Sequence, residues 1–403
     1  MDSNSRFLLI NFRKYYKENR VILPDRFTRR EFGFMFFDKT FVQRHLSFPN
    51  QREIDRYMES QVPAHSYYST SYYRKPDAPT MEEKGWLGAE LIFDLDADHL
   101  ENANKMTFTE MLDQIKREMI HLLDSFIFGD LGIPEKNVEI TFSGGRGYHA
   151  HVKLPEAMGI GSHERREIAD YITSTGLNMD WVFPYERVAT GSGTAAQGRV
   201  SSSKHRLIPP ADSGGWRLRM RDGLKDVVND ICDMDVKEIK KRYPSTKKNQ
   251  SLEKIQADLR LSRNVIFNNN KMATLKPNTQ DLLIKIMSED MIKELSGEVD
   301  VPVTTDIKRI IRLPGSVHGK TGLRVTPLTR DQLNDFDPME MAVPQSYSDK
   351  EILVTMKKDT DIWIKGEHFK LSGSEMVPEY AAVFLVGRKL ADVGEGVKKD
   401  SFF

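Results

Sequence analysis

Residues 89–96, AELIFDLD, constrain the fold more than any other part of the chain. Leu91, Phe93 and Leu95 alternate with Ile92, Asp94 and Asp96, and a period of two predicts a half-buried strand. Thr107 followed by Glu110 is a capping-box signature. Behind it Phe108, Met111, Leu112, Ile115, Met119, Leu122, Leu123 and Phe126 keep helical spacing. Gly129 and Gly132 are expected to end that helix. Val138, Ile140 and Phe142 alternate again, a Gly-rich turn follows, and residues 149–154 read as a return strand. Strand, helix and hairpin in this order predict an α+β (mixed α/β) core, with sheets flanked by helices and two aspartates at the end of its first strand.

Elsewhere the pattern changes. Arg13, Lys14, Tyr15, Tyr16 and Lys17 form a basic and aromatic cluster, as do Arg26, Arg29 and Arg30 further on; solvated helix faces are the simplest reading of both. Gly191, Gly193, Ser201, Ser202 and Ser203 predict a flexible loop. Over residues 216–294 the strand signal disappears and helical patterning takes over, interrupted at Pro244 and Pro277. Strand-like patterning returns at 299–303, 323–326 and 352–355, and residues 381–390 read as a helix. The expected organisation is a core formed by 1–205 and 296–345, a helical insert at 206–295, and a C-terminal portion, 346–403, packed on the core.

Composition sets limits without naming a function. The 403 residues suggest two or three domains; 39% are apolar and 29% charged, with a mean hydropathy of −0.51. No apolar run approaches the roughly 20 residues of a membrane helix, and Phe7 to Ile10 is too short for a signal-peptide core. With Cys232 alone, no intramolecular disulfide and no thiolate zinc knuckle can form. A cytoplasmic protein without membrane attachment is expected. The 59 basic and 59 acidic side chains cancel, which excludes a uniformly basic coat but not an enzyme that uses local charge.

Three segments carry chemistry. In FDLDAD, residues 93–98, a strand projects Asp94 and Asp96 from one face with Cβ atoms roughly 6–7 Å apart. Two bare anions at about 4 Å repel by roughly 4 kcal/mol at an effective dielectric of 20. A divalent cation reverses that sign, and oxygen-only ligands select Mg²⁺ or Mn²⁺. An exposed strand end with solvated carboxylates is the alternative. In SGGRGYH, residues 143–149, three glycines allow backbone amides to approach phosphate oxygens, and Ser143, Arg146 and His149 add donors; a plain Gly-rich hairpin is the alternative. The segment 299–322 places Asp300 at an expected strand start, followed by Lys308, Arg309, Arg312, His318 and Lys320. Gly319-Lys320-Thr321 imitates the end of a Walker A motif, but Pro314 stands where its first glycine belongs, so a P-loop is rejected. Together the segments fit nucleotidyl transfer, with carboxylates for two metal ions and cations for a triphosphate.

The ordered set FDLDAD, SGGRGYH and VDVPVTTDIKRIIRLPGSVHGKTG closely resembles the catalytic small subunit of archaeal–eukaryotic DNA primase, most like the archaeal form. The resemblance covers roughly residues 15–327, including the helical insert. It implies a primase-type catalytic core, with metal-binding catalytic aspartates at Asp94, Asp96 and Asp300. It further implies triphosphate contacts at Ser143, Arg146 and His149 and nucleotide contacts at Arg312 and His318. A looser match, within QRHLSF, adds Arg44. The implied activity is synthesis of short RNA primers de novo on single-stranded DNA from nucleoside triphosphates, with DNA synthesis as well. Implied partners are a large subunit carrying an iron–sulfur cluster and the replication machinery, in a nucleoid-associated heterodimer of an archaeal cell. Many relatives carry a Cys/His zinc site after the Asp-x-Asp strand; residues 99–123 hold no Cys and only His99 and His121, so no structural zinc is expected. The rival readings are a repair or bypass polymerase extending existing primers, a metal-dependent nuclease, and a noncatalytic nucleic-acid-binding subunit.

Overall fold

The computed structural model, which describes residues 1–100, 103–189 and 202–394, is built of helices and strands, twelve of the strands lying before residue 330. In chain order these are β1 (Phe32–Met35), β2 (Gln43–Leu46), β3 (His65–Ser69), β4 (Ser71–Tyr73), β5 (Trp86–Ala89), β6 (Leu91–Asp96), β7 (Val138–Phe142) and β8 (Gly147–Val152), followed by β9 (Tyr185–Ala189), β10 (Ser202–Arg206), β11 (Ile310–Arg312) and β12 (Thr326–Leu328). The chain divides into two compact units, Met1–Ala169 with Glu298–Phe403, and Asp170–Gly297.

Two four-stranded sheets organise the first unit, in the orders β12-β7-β8-β6 and β11-β3-β1-β2. Their pairings are antiparallel, and the register sets Asp94 opposite His149 and Asp96 opposite Gly147. Leu91, Ile92, Phe93 and Leu95 are all buried, so β6 is covered on both faces and open only at its two aspartates. The helix Phe108–His121 covers this sheet with Met111, Leu112, Ile115 and Met119, each side chain contributing roughly 1.5–3 kcal/mol by leaving water. Thr107 and Glu110 close the expected capping box at its start. A further sheet joins Glu351–Met356, Ser374–Pro378 and Ala391–Val393, and beside it lies the apolar helix Glu379–Gly387, buried from Tyr380 onward.

The second unit, Asp170–Gly297, contains the β9–β10 hairpin and the helices Gly215–Asp233, Val236–Arg242, Leu252–Asn268 and Pro277–Ile286. Trp216, Met220, Leu224, Val227, Val228 and Ile231 form the buried stripe of the first of these. The unit is therefore longer than its helical run. Ser202 and Ser203, expected in a flexible loop, belong to β10; Gly191, Gly193 and Ser201 lie outside the described residues. No helix among the described residues is long and apolar enough to cross a membrane.

Other local expectations shift for identifiable reasons. Residues 299–303, whose alternating valines suggest a strand, form the helix Val301–Thr305. Asp300 caps it by accepting from the Val303 amide at 3.2 Å, and Pro302 sits in the first turn, where no amide donor is needed. Gly129 does not end its helix. The path continues through a π-helical stretch, Leu122–Asp130, and stops at Gly132, whose φ of 63° only glycine adopts freely. The return strand begins at Gly147, two residues early, because β6 keeps pairing to Asp96. The strand expected at 323–326 is β12, Thr326–Leu328, which pairs with β7. Of the basic clusters, Tyr15, Tyr16 and Arg30 are buried rather than solvated.

Candidate functional site

The end of β6, the β7–β8 turn and the segment 309–321 enclose one cleft of about 320 Å³. Asp94, Asp96 and Asp98 line it, together with Ser143, Arg146, His149, Arg309, Arg312, His318, Lys320 and Arg388. Acidic and cationic groups thus share one cavity.

Period-two geometry points Asp94 and Asp96 to the same side of β6. Burial, then the charges of Asp96 and Asp300, push the Asp94 carboxyl up to about 7. Its Oδ1 lies 3.4 Å from His149 Nε2. Asp300 returns to this point because its backbone amide donates to the Asp94 carbonyl at 2.9 Å. Asp94, Asp96 and Asp300 face a second small cavity together with Glu298. One oxygen of Asp300 caps its own helix, and the other is not engaged by the described residues. Among the described residues, no group of three or more His, Cys, Asp or Glu side chains stands close enough to hold a metal ion by itself. The donor chemistry nevertheless suits a hard divalent cation, since the charges of Asp96 and Asp300 raise the Asp94 carboxyl more than those of Arg309 and Arg312 lower it.

The Gly-rich turn shows why it needs its glycines. A Cβ at Gly147 would stand 2.2 Å from the Leu95 carbonyl oxygen, and Gly144, at φ 74°, would carry one 2.9 Å from His318 Cβ. Ser143 Oγ accepts from the Gly145 and Gly147 amides at 3.2 and 3.3 Å, which fixes the turn and leaves its hydroxyl proton to donate. Arg146 pairs with Asp98 and lies 3.8 Å from Asp96, so it stands at the acidic edge of the cleft.

Arg312 is held by aromatic and imidazole groups. Its guanidinium lies 4.6 Å from the Tyr67 ring centre and donates to His65 Nδ1 at 2.6 Å and to His318 Nε2 at 2.9 Å. Because arginine only donates, both rings accept and are neutral. Burial and the nearby Arg312 charge lower His65 to about 2 and drive His318 well below its usual range. With Nε2 accepting, His318 Nδ1 carries the proton and faces Thr321 Oγ1 at 3.3 Å, and that hydroxyl donates to the Gly144 carbonyl. The segment 312–321 and the Gly-rich turn are thereby joined.

Of the residues expected from sequence, the cleft gathers Asp94, Asp96, Ser143, Arg146, His149, Arg312 and His318, with Asp300 against its acidic end. Arg44 is not on its lining. Its guanidinium makes two 3.0 Å bonds to the buried Glu31, which Lys84 also contacts. Sequence reasoning missed His65, Tyr67, Asp98, Arg309, Lys320 and Arg388. Asp98 lies within FDLDAD, while Arg309 and Lys320 lie within the segment 299–322 without a residue-type signal of their own. Tyr67, His65 and Arg388 lie in no recognised motif.

Comparison with known proteins assigns the chain to a family. The profile of the family described as DNA primase small subunit matches residues 93–330. Proteins named DNA primase small subunit PriS are 40% identical in Methanocella arvoryzae and 38% identical in Methanothrix thermoacetophila, each alignment covering 97% of this chain and 99% of the relative. The one from Picrophilus torridus is 36% identical over 94% of this chain and 96% of its own length. The chain belongs to the DNA primase small subunit family, nucleotidyltransferases that synthesise RNA primers for DNA replication.

Proposed function

We propose that the cleft binds an incoming nucleoside triphosphate beside the 3′-hydroxyl of a nucleotide paired to single-stranded DNA, and that Asp94, Asp96 and Asp300 hold Mg²⁺ or Mn²⁺. The observation that carries this reading is the single cavity in which strand carboxylates adjoin a wall of arginine, lysine, serine and histidine donors. When bound, divalent cations lower the pKa of an attacking hydroxyl and offset charge that develops on the transferred phosphoryl group. Ser143 and Arg146 bind phosphate oxygens, the serine through its free hydroxyl proton and the arginine by exchanging Asp98 for phosphate. Neutral His149 orients the Asp94 carboxylate. Arg312, pre-positioned by His65 and His318, offers a fixed cation that needs no reorganisation when substrate arrives. Arg44 is left out of the binding set because Glu31 engages its fork.

A large subunit that aids initiation is the proposed partner, and a heterodimer the proposed assembly. The purified chain, with and without such a subunit, is to be incubated with unprimed single-stranded DNA, labelled nucleotides and Mg²⁺ or Mn²⁺, beside the Asp94→Ala/Asp96→Ala variant. Short template-dependent products that vanish in the variant are expected. Extension of supplied primers only would favour a repair polymerase, degradation of the template a nuclease, and inactivity in every mixture a binding subunit.

A further inference from the structure

The residue after the buried helix Glu379–Gly387 lines the same cleft as the Gly-rich turn, although it lies more than sixty residues beyond the last recognised motif. That helix meets the 319–322 segment backbone to backbone. A Cβ at Gly387 would stand 3.1 Å from the Lys320 carbonyl carbon and 3.3 Å from the Thr321 amide nitrogen, and one at Gly322 would stand 2.4 Å from Val383 Cγ1. The C-terminal portion thereby delivers Arg388 next to Lys320.

Among the described residues, the charge of Arg388 has no partner. Its guanidinium lies 4.6 Å from the ring centre of Phe108, which itself packs edge-on against Phe384 at 5.3 Å. Among the described residues, the buried Nε atom of Arg388 has no hydrogen-bond partner and no carboxylate pairs with the side chain. A half-buried guanidinium held by an aromatic face and lacking an anion is costly unless an anion arrives. Asp98, whose charge acts on it, is already engaged by Arg146.

We propose that Arg388 is a phosphate-binding residue of the nucleotide site, contacting the β- or γ-phosphate beside Lys320 and making the C-terminal helix part of substrate recognition. This rests on the reading of the cleft as a triphosphate site. A purely structural role, closing the C-terminus of its helix through the macrodipole, is the rival.

The test is equilibrium binding of ATP and AMP, without template, to the full chain and to Arg388→Ala, Arg388→Lys and Arg146→Ala variants, with melting temperatures recorded alongside. Loss of a charged hydrogen bond predicts roughly tenfold or more weaker ATP binding in Arg388→Ala. AMP binding should stay within about twofold, since AMP lacks the β- and γ-phosphates that Arg388 contacts. Arg388→Lys should recover part of the ATP affinity, and the melting temperature should hold. Wild-type ATP affinity in Arg388→Ala alongside a weakened Arg146→Ala would overturn the proposal and leave the cleft reading standing. Equal loss of ATP and AMP with a lower melting temperature would assign Arg388 to the fold instead. Failure of the unaltered chain to prefer ATP over AMP would overturn the cleft reading and this proposal together.

Discussion

Glu90 precedes the strand that carries Asp94, and Glu90→Gln tests whether a buried ionic network underlies the site. Glu90 and Arg30 are 1% and 0% exposed and paired, Tyr72 donates to Glu90 at 2.9 Å, and His151 Nδ1 lies 3.2 Å from its other oxygen. Burial alone would raise this carboxyl; Arg30 and His151 overcome it and hold it at about 2. Against an ordinary 4.5, that difference is about 3 kcal/mol of stability. A depressed carboxylate stabilises above its unfolded pKa, and the contribution disappears as the pH falls from there through 2. Removing the charge also leaves Arg30 buried and unpaired, so Glu90→Gln should cost about 3–5 kcal/mol at pH 7. Urea unfolding followed by circular dichroism at pH 7 and pH 3 measures the gap between variant and unaltered protein. The gap should narrow by about 2 kcal/mol at pH 3, where the unfolded chain's Glu90 is protonated. A gap of the same size at both values would show that Glu90 is not ionised in the folded protein, and the reasoning would fail.

Further outcomes follow from single contacts. Gly147→Ala drives a methyl group into the Leu95 carbonyl and should cost about 3 kcal/mol or more, read as a lower urea midpoint. Thr107→Ala removes a cap remote from the chemistry; it should cost about 1 kcal/mol and leave the KM for nucleotide unchanged in steady-state assays. Arg312→Lys cannot reproduce the fork that bridges His65 and His318, so the nucleotide KM should rise about tenfold. Asp96→Asn should lower nucleotide incorporation by a factor on the order of 10³ while the melting temperature holds, because the side chain is partly exposed and makes few contacts within the fold.

Local signals proved legible where they were self-contained. The alternation at 91–96, the Thr107–Glu110 cap and the glycines of 143–149 each express a rule that needs no distant partner. The aspartate pair was readable for the same reason, since period two alone puts both carboxylates on one face. Asp300 was identified by resemblance, while its helical setting was misjudged because three alternating valines outweighed the Asp and Pro start signals around them. Arg44 carries the basic charge a nucleotide site needs, yet Glu31, thirteen residues earlier, takes up its guanidinium. Tyr67 and His65 escaped notice because their role depends on β3 pairing with β11, a contact spanning more than 240 residues. Arg388 escaped for the same reason: only the packing of Gly387 on Lys320 brings it to the cleft.

The most direct test of primer synthesis at this site uses a nucleoside triphosphate labelled at its γ-phosphate, with unprimed single-stranded DNA and the large subunit present. Only the first nucleotide of a chain begun de novo keeps its γ-phosphate, since every later addition releases it with pyrophosphate. Short products carrying the label are predicted, and they should be lost in Asp96→Asn. Products labelled through the α-phosphate alone, or γ-labelled products that persist in Asp96→Asn, would contradict the account.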